Sequence, residues 1–98
     1  MIDIHKSARL LNAMGNQKRL EVLRILVQQE IAVSELARLV ELSQSALSQH
    51  LAKLRTDGFV STRREAQTVF YSCGSQDVIA MLKDLEGICP SDHREDQQ

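Results

Sequence analysis

The spacing of apolar residues changes twice along the chain, from helical to alternating and back, and those changes divide it into elements. Residues 3–14 set Ile4, Ala8, Leu11 (beside Leu10) and Met14 at helical intervals, with Asp3 as an N-cap. Gly15-Asn16 interrupts the run. Residues 17–29 resume it with Leu20, Val22-Leu23, Ile25-Leu26 and Val27, a wide apolar face that predicts deep burial. Ile31-Ala32-Val33 is a short β-leaning link, and Ser34 fits the N-cap of a short helix carrying Leu36, Ala37, Leu39 and Val40. Glu41-Leu42 makes a tight connection. Ser43 then caps a longer helix whose inward stripe is Leu47, Leu51 and Leu54, with Ala46 and His50 alongside. It ends at Asp57-Gly58, where glycine suits the left-handed position just past a helix.

Beyond Gly58 the residues turn β-branched and aromatic. Phe59–Arg64 and Thr68–Cys73 read as the arms of a two-stranded hairpin, with the turn inside Arg64–Gln67. Ser75 or Asp77 starts a last helix with Val78, Ile79, Met81, Leu82, Leu85 and Ile88, and Pro90 ends it. The predicted fold is mainly α with a β-hairpin, in the order α-α-α-α-β-β-α. Residues 1–89 form one domain, and 90–98 an acidic tail expected to be disordered.

Residues 34–57, a short helix, a tight turn and a longer helix, make a helix-turn-helix. In such a unit the second helix enters the major groove of DNA and its first residues meet base edges. The exposed polar positions at the start of this one are Gln44, Ser45, Ser48 and Gln49, all uncharged and able both to donate and to accept. Base edges carry donors and acceptors rather than charge. Gln can bridge adenine N6 and N7, and Ser serves either kind of group. Taken alone, the face also reads as a plain solvated helix surface. Its neighbours favour DNA: Lys53 and Arg55 follow on the same helix, and Arg63, Arg64 and Gln67 lie at or near the hairpin tip. A hairpin after the recognition helix is a wing, whose arginines reach phosphates or the minor groove. The plainer reading of Arg63-Arg64 is an edge-strand charge pair that deters aggregation.

The net charge of −1 speaks against nucleic acid until its distribution is considered. Residues 43–64 hold Lys53, Arg55, Arg63 and Arg64 against Asp57, whereas 84–98 hold Asp84, Glu86, Asp92, Glu95 and Asp96 against Arg94. A basic middle and an acidic end cancel in the sum. Ninety-eight residues with three aromatics build a small core of Leu, Ile, Val and Ala, which favours a partner subunit. No run of eighteen apolar residues predicts a membrane span, and no signal-peptide pattern opens the chain, so a cytoplasmic location is expected.

The stretches AMGNQKRLEVLRIL, VSELARLVELSQSALSQHLAKLRTDGFVSTRREAQTVFYS and AMLKDL resemble the ArsR/SmtB family of bacterial winged-helix regulators. Within it the likeness is nearest to regulators of virulence and nodulation genes. The resemblance covers roughly residues 8–89 and is most specific over 42–72. It implies a homodimer packed through the first and last helices, bound to an inverted-repeat operator in double-stranded DNA. It also implies a cytoplasmic, nucleoid-associated protein that represses by occlusion or acts as an antirepressor by displacing a silencer. By position, Gln44, Ser45, Ser48 and Gln49 would face bases, and His50 the helix-turn-helix core or a phosphate. Arg63, Arg64, Gln67 and Thr68 would serve the wing.

Many family members release DNA on binding metal through cysteines at the start of the third helix, or through His and Asp on the last. Here Ala32 and Ser34 stand at the first place and Ile79 follows Asp77 at the second, so no metal site is expected. Others sense oxidants or reactive sulfur with paired cysteines. Cys89 matches one member of the pair, but Ala37 stands where the other belongs. A redox-responsive repressor using Cys73 or Cys89 stays open, although a helix over 75–88, roughly 21 Å long, would separate the two. No cofactor or small-molecule ligand is evident. A protein-interaction module is the competing class, but a docking face favours aromatic residues and Met over the Gln and Ser found here. No nucleophile grouping, phosphate loop or carboxylate pair points to an enzyme.

Overall fold

The computed structural model describes residues 1–91 as α1 (Ile4–Met14), α2 (Gln17–Leu26), β1 (Ile31–Ala32), α3 (Val33–Leu39), α4 (Gln44–Thr56), β2 (Ser61–Glu65), β3 (Thr68–Ser72) and α5 (Gln76–Ile88). The expectation of a disordered tail falls, from residue 92 on, outside the described residues. Side-chain caps fix four of the five helix starts. Asp3 accepts from the Lys6 N–H at 3.0 Å, Asn16 from Arg19 at 3.0 Å, Ser43 from Ala46 at 3.1 Å and Ser75 from Val78 at 3.3 Å. Each satisfies a backbone donor that the helix itself leaves orphaned.

Helix α3 is the exception. It begins at Val33, and Ala32 occupies the cap position without a side-chain bond, so Ser34 is not the N-cap. The reason lies in the sheet. Ile31 and Ala32 pair with Tyr71 and Phe70, which adds a third strand to the expected two-stranded hairpin in the order β1-β3-β2. Ala32 is held extended by that pairing, and the chain passes straight from strand into helix. The same sheet shortens α2, which stops at Leu26 although the apolar pattern runs to Val27. The Leu26 carbonyl accepts from the Cys73 N–H at 3.1 Å, a tertiary bond in place of the next helical one.

The core forms where these elements meet. Leu23 and Leu26 of α2, Leu36 of α3, Leu47, Leu51 and Leu54 of α4, and Val78 of α5 are fully buried. Of the apolar residues carried by α3, Leu36 and Ala37 are buried and Leu39 is exposed. On α1 the buried side is Ala13 and Met14 with Leu10 against them, while Ile4, Ala8 and Leu11 face outward.

Long cationic side chains close the ends of α1 and α3. The Lys18 ammonium donates to the Val40 carbonyl at 2.7 Å, just past α3. Arg19 donates to the carbonyls of Ala13 at 2.9 Å and Asn12 at 3.1 Å, at the end of α1. Helix α4 ends as expected. Gly58 adopts φ +82°, its N–H reaches the Arg55 carbonyl, and the Phe59 N–H reaches Leu54. That paired closure turns the chain directly into the wing.

Candidate nucleic-acid interface

With Leu47, Leu51 and Leu54 turned inward, the 100° step per residue puts Ser45, Gln49, Ala52 and Thr56 on the opposite side of α4. Gln44, Ser48 and Arg55 share one flank of that surface, and all seven residues are exposed. The four polar residues singled out in the sequence therefore occupy one continuous surface at the start of the helix. Ser43 anchors its first turn, so these side chains project from a fixed backbone.

His50 does not belong to that surface. It lies on the other flank of α4, half-buried, with Nδ1 3.4 Å from the Arg19 guanidinium. Because Arg19 also holds the end of α1, His50 links α4 to the α1–α2 corner. Lys53 bends back toward the C-cap of its own helix, where its ammonium lies 3.6 Å from the Asp57 carboxylate. One oxygen of that carboxylate is buried without a hydrogen bond, which makes the lysine its charge partner among the described residues. Arg55 has no ion pair among the described residues.

The wing separates two adjacent arginines that look alike in the sequence. Arg63 sits opposite Phe70 and Arg64 opposite Val69, so they point to opposite faces of the hairpin. Arg63 donates from Nε and one terminal nitrogen to both oxygens of Glu30, at 2.9 to 3.2 Å. Its guanidinium carbon lies 4.7 Å from the centre of the Phe70 ring, and Glu65 is 3.6 Å away. The Arg63 hydrogen bonds hold the Glu30 carboxyl below its usual pKa, and Glu30 in turn raises that of Arg63. Arg64 is exposed and makes no ion pair among the described residues. The turn is tighter than expected, Ala66-Gln67 alone, with Ala66 at φ +55° and both Gln67 and Thr68 exposed at the tip.

Two further polar residues border this surface and were missed in the sequence. Thr56 continues the Ser48-Ala52 stripe, and Tyr71 faces α4 from β3 across a cleft. The helical spacing from Ser48 to Thr56 was a usable signal. The position of Tyr71 was not, because it depends on how the sheet packs.

The cysteines occupy different environments. Cys73 is buried, and burial pushes its thiol pKa up against a weaker opposing hydrogen bond from the Ser75 backbone. Cys89 is exposed at the end of α5, where it lines a groove of about 900 Å³ with Leu20, Val27, Leu82 and Leu85 and with charged residues such as Glu21, Arg24 and Lys83. Helix α5 runs between them, and its 13 residues rise about 20 Å. Among the described residues no three His, Cys, Asp or Glu side chains cluster as a metal site, and no helix is long and apolar enough to cross a membrane.

A family model described as bacterial regulatory protein, arsR family, matches residues 16–62. The chain is 56% identical over 78 residues to the transcriptional activator HlyU of Vibrio cholerae, a match covering 80% of this chain and 72% of that protein. The crystal structure of NolR from Sinorhizobium fredii superposes with a TM-score of 0.85 at 51% identity, over 90% of this chain and 88% of NolR. A homodimeric winged helix-turn-helix DNA-binding domain from Mycobacterium bovis, solved by NMR, gives a TM-score of 0.78 at 26% identity over 97% and 86% of the two chains.

Proposed function

Because this chain belongs to the ArsR family of bacterial regulatory proteins, and is thus a transcriptional regulator rather than an enzyme, we propose that it binds an inverted-repeat DNA operator as a homodimer. One observation carries the reading. The exposed side of α4 is an uncharged, hydrogen-bonding surface flanked by two arginines, Arg55 and Arg64, that have no ion pair among the described residues. Gln44, Ser45, Ser48 and Gln49 meet base edges in the major groove. Arg55 and Arg64 neutralise phosphates, and Gln67 and Thr68 reach the backbone or the minor groove from the tip of the wing. Lys53 adds positive charge beside the helix without free reach, since Asp57 holds it. His50 acts through Arg19, fixing the angle at which α4 is presented.

The homodimer rests on a separate feature. Ile4 and Leu11 of α1, with Ile79 and Ile88 of α5, are large apolar side chains left in water by the single chain. A two-fold axis through these helices would set two copies of α4 in successive major grooves, about 34 Å apart. Operator occupancy serves repression by occluding polymerase and antirepression by displacing a silencer, so one binding event supports both outcomes.

The test is a salt series on an inverted-repeat duplex and a scrambled duplex of equal length. The inverted repeat binds more tightly, and both affinities fall as salt rises. Equal affinity for the two duplexes, or none for either, overturns the proposal and favours a protein-interaction module. Gln49→Ala loses discrimination at one base pair per half-site, about 1–3 kcal/mol. If every duplex weakens alike, the division between base-reading helix and phosphate-reading arginines is wrong.

A further inference from the structure

Helix α4 and the wing leave between them a cleft of about 460 Å³ lined by Ser48, Ala52, Arg55, Thr56 and Tyr71. The four α4 residues form a single stripe, and Tyr71 stands opposite on β3. The polar groups are three hydroxyls and a guanidinium, with no carboxylate among them. Ala52 is exposed and ends at Cβ, which leaves room for a bulky group to approach the helix. Tyr71 takes no part in the side-chain hydrogen bonds among the described residues, and Arg55 makes no ion pair there. Tyr71 lies opposite Thr62, two positions along β3 from the Val69–Arg64 pair. Tyr71 and Arg64 therefore share a face, and positive charge continues from the cleft toward the hairpin tip. Arg63, Glu30 and Phe70 lie behind, on the far face of the hairpin.

We propose that this cleft holds one phosphodiester of the operator, with Tyr71 and Thr56 as direct contacts beside Arg55. The inference rests on the operator-binding reading and adds to it. If α4 lies in the major groove and the wing reaches the next minor groove, the strand dividing those grooves passes between helix and wing. A phosphodiester shares one negative charge over two non-bridging oxygens and has no proton to give, so it needs donors alone. The cleft supplies a cation and hydroxyl donors, and a carboxylate here would repel the strand. Ser48 sits at the boundary, with bases on one side and the phosphate on the other.

Neutral methylphosphonate links, placed singly along the inverted-repeat duplex, test the assignment against wild type, Tyr71→Phe, Thr56→Val and Arg55→Ala. On unmodified DNA, Tyr71→Phe weakens every duplex about tenfold, the worth of one hydrogen bond to a charged group, and leaves the salt slope unchanged. Arg55→Ala flattens the slope by about one. At one link per half-site both penalties disappear together, which a purely structural defect would not produce. Tyr71→Phe binding like wild type, or losing equally at every link, overturns the assignment. Should thermal melting show that Tyr71→Phe is poorly folded, exposed Thr56→Val carries the same comparison. Failure of the wild type to bind any duplex overturns the operator reading and this contact with it, whereas a silent Tyr71→Phe against normal wild-type binding overturns the contact alone.

Discussion

Helix α4 and the α1–α5 pair both carry apolar stripes but use them differently. Helix α4 hides Leu47, Leu51 and Leu54 to 1% exposure or less. Helices α1 and α5 leave Ile4 at 70%, Leu11 at 57%, Ile79 at 37% and Ile88 at 71%. Helix α4 is complete within one chain, so its outer surface is free to be chosen for hydrogen bonding. The α1–α5 pair is incomplete, because a side chain such as Leu gains about 1.5–3 kcal/mol on full burial and here gains only a fraction. One surface is finished for a polar partner; the other awaits an apolar one.

The largest effect expected from breaking this contrast follows a charge placed on the unfinished surface. Leu11→Glu is exposed in the single chain, so folding survives, but the proposed two-fold contact does not. Sedimentation should show a monomer. Operator affinity should fall about 10²–10⁴-fold, the advantage lost when two linked half-site contacts become independent. A Leu11→Glu protein that stays dimeric with full affinity would mean that α1 plays no part in assembly. The matching change on the finished side is Leu51→Ala. It removes a side chain 1% exposed at the centre of the core, and chemical denaturation should show a loss of about 2–5 kcal/mol. The folded fraction should keep its oligomeric state and its base preference, since Leu51 points away from both surfaces.

The contrast also explains what the sequence could and could not reveal. Ser43 as a cap, the Leu47-Leu51-Leu54 stripe and the Gly58 turn are local features, determined within a few residues by helix geometry. The three-stranded sheet is not. Ile31-Ala32 has β-leaning residues, but its pairing with Tyr71 and Phe70 joins segments some forty positions apart, and it moves the start of α3 away from Ser34. The early end of α2 has the same origin, because the carbonyl that would continue the helix bonds to Cys73 instead. Among the candidate site residues, the exposure of those on α4 was readable from the helical period, except for His50 and for Lys53, which Asp57 holds. The sequence shows His50 beside the stripe and cannot show Arg19 reaching across to it.

The smallest and most discriminating effect lies in the wing, where Arg63 and Arg64 were equivalent in the sequence. Their strand positions send one to Glu30 and Phe70 and the other toward the cleft side. Arg64→Ala should reduce the salt slope of operator binding by about one, as expected for a lost phosphate contact. Arg63→Ala should leave that slope unchanged, because its charge is already matched by a carboxylate, and any loss should be a modest, salt-independent weakening from a looser wing. Glu30→Gln separates these roles further. Freed of its bidentate partner and left with Glu65 alone, Arg63 becomes more available to phosphate, and the slope should steepen rather than flatten. The pH dependence follows the same logic. Glu30 is held ionised below its usual pKa, so the Glu30–Arg63 link is fully present above the ordinary carboxylate range and is lost only as pH falls through the lowered value. Wing position is therefore insensitive to pH near neutrality. If Arg63→Ala flattens the slope as much as Arg64→Ala does, then phosphate has displaced Glu30 in the complex and the two arginines are equivalent on DNA after all.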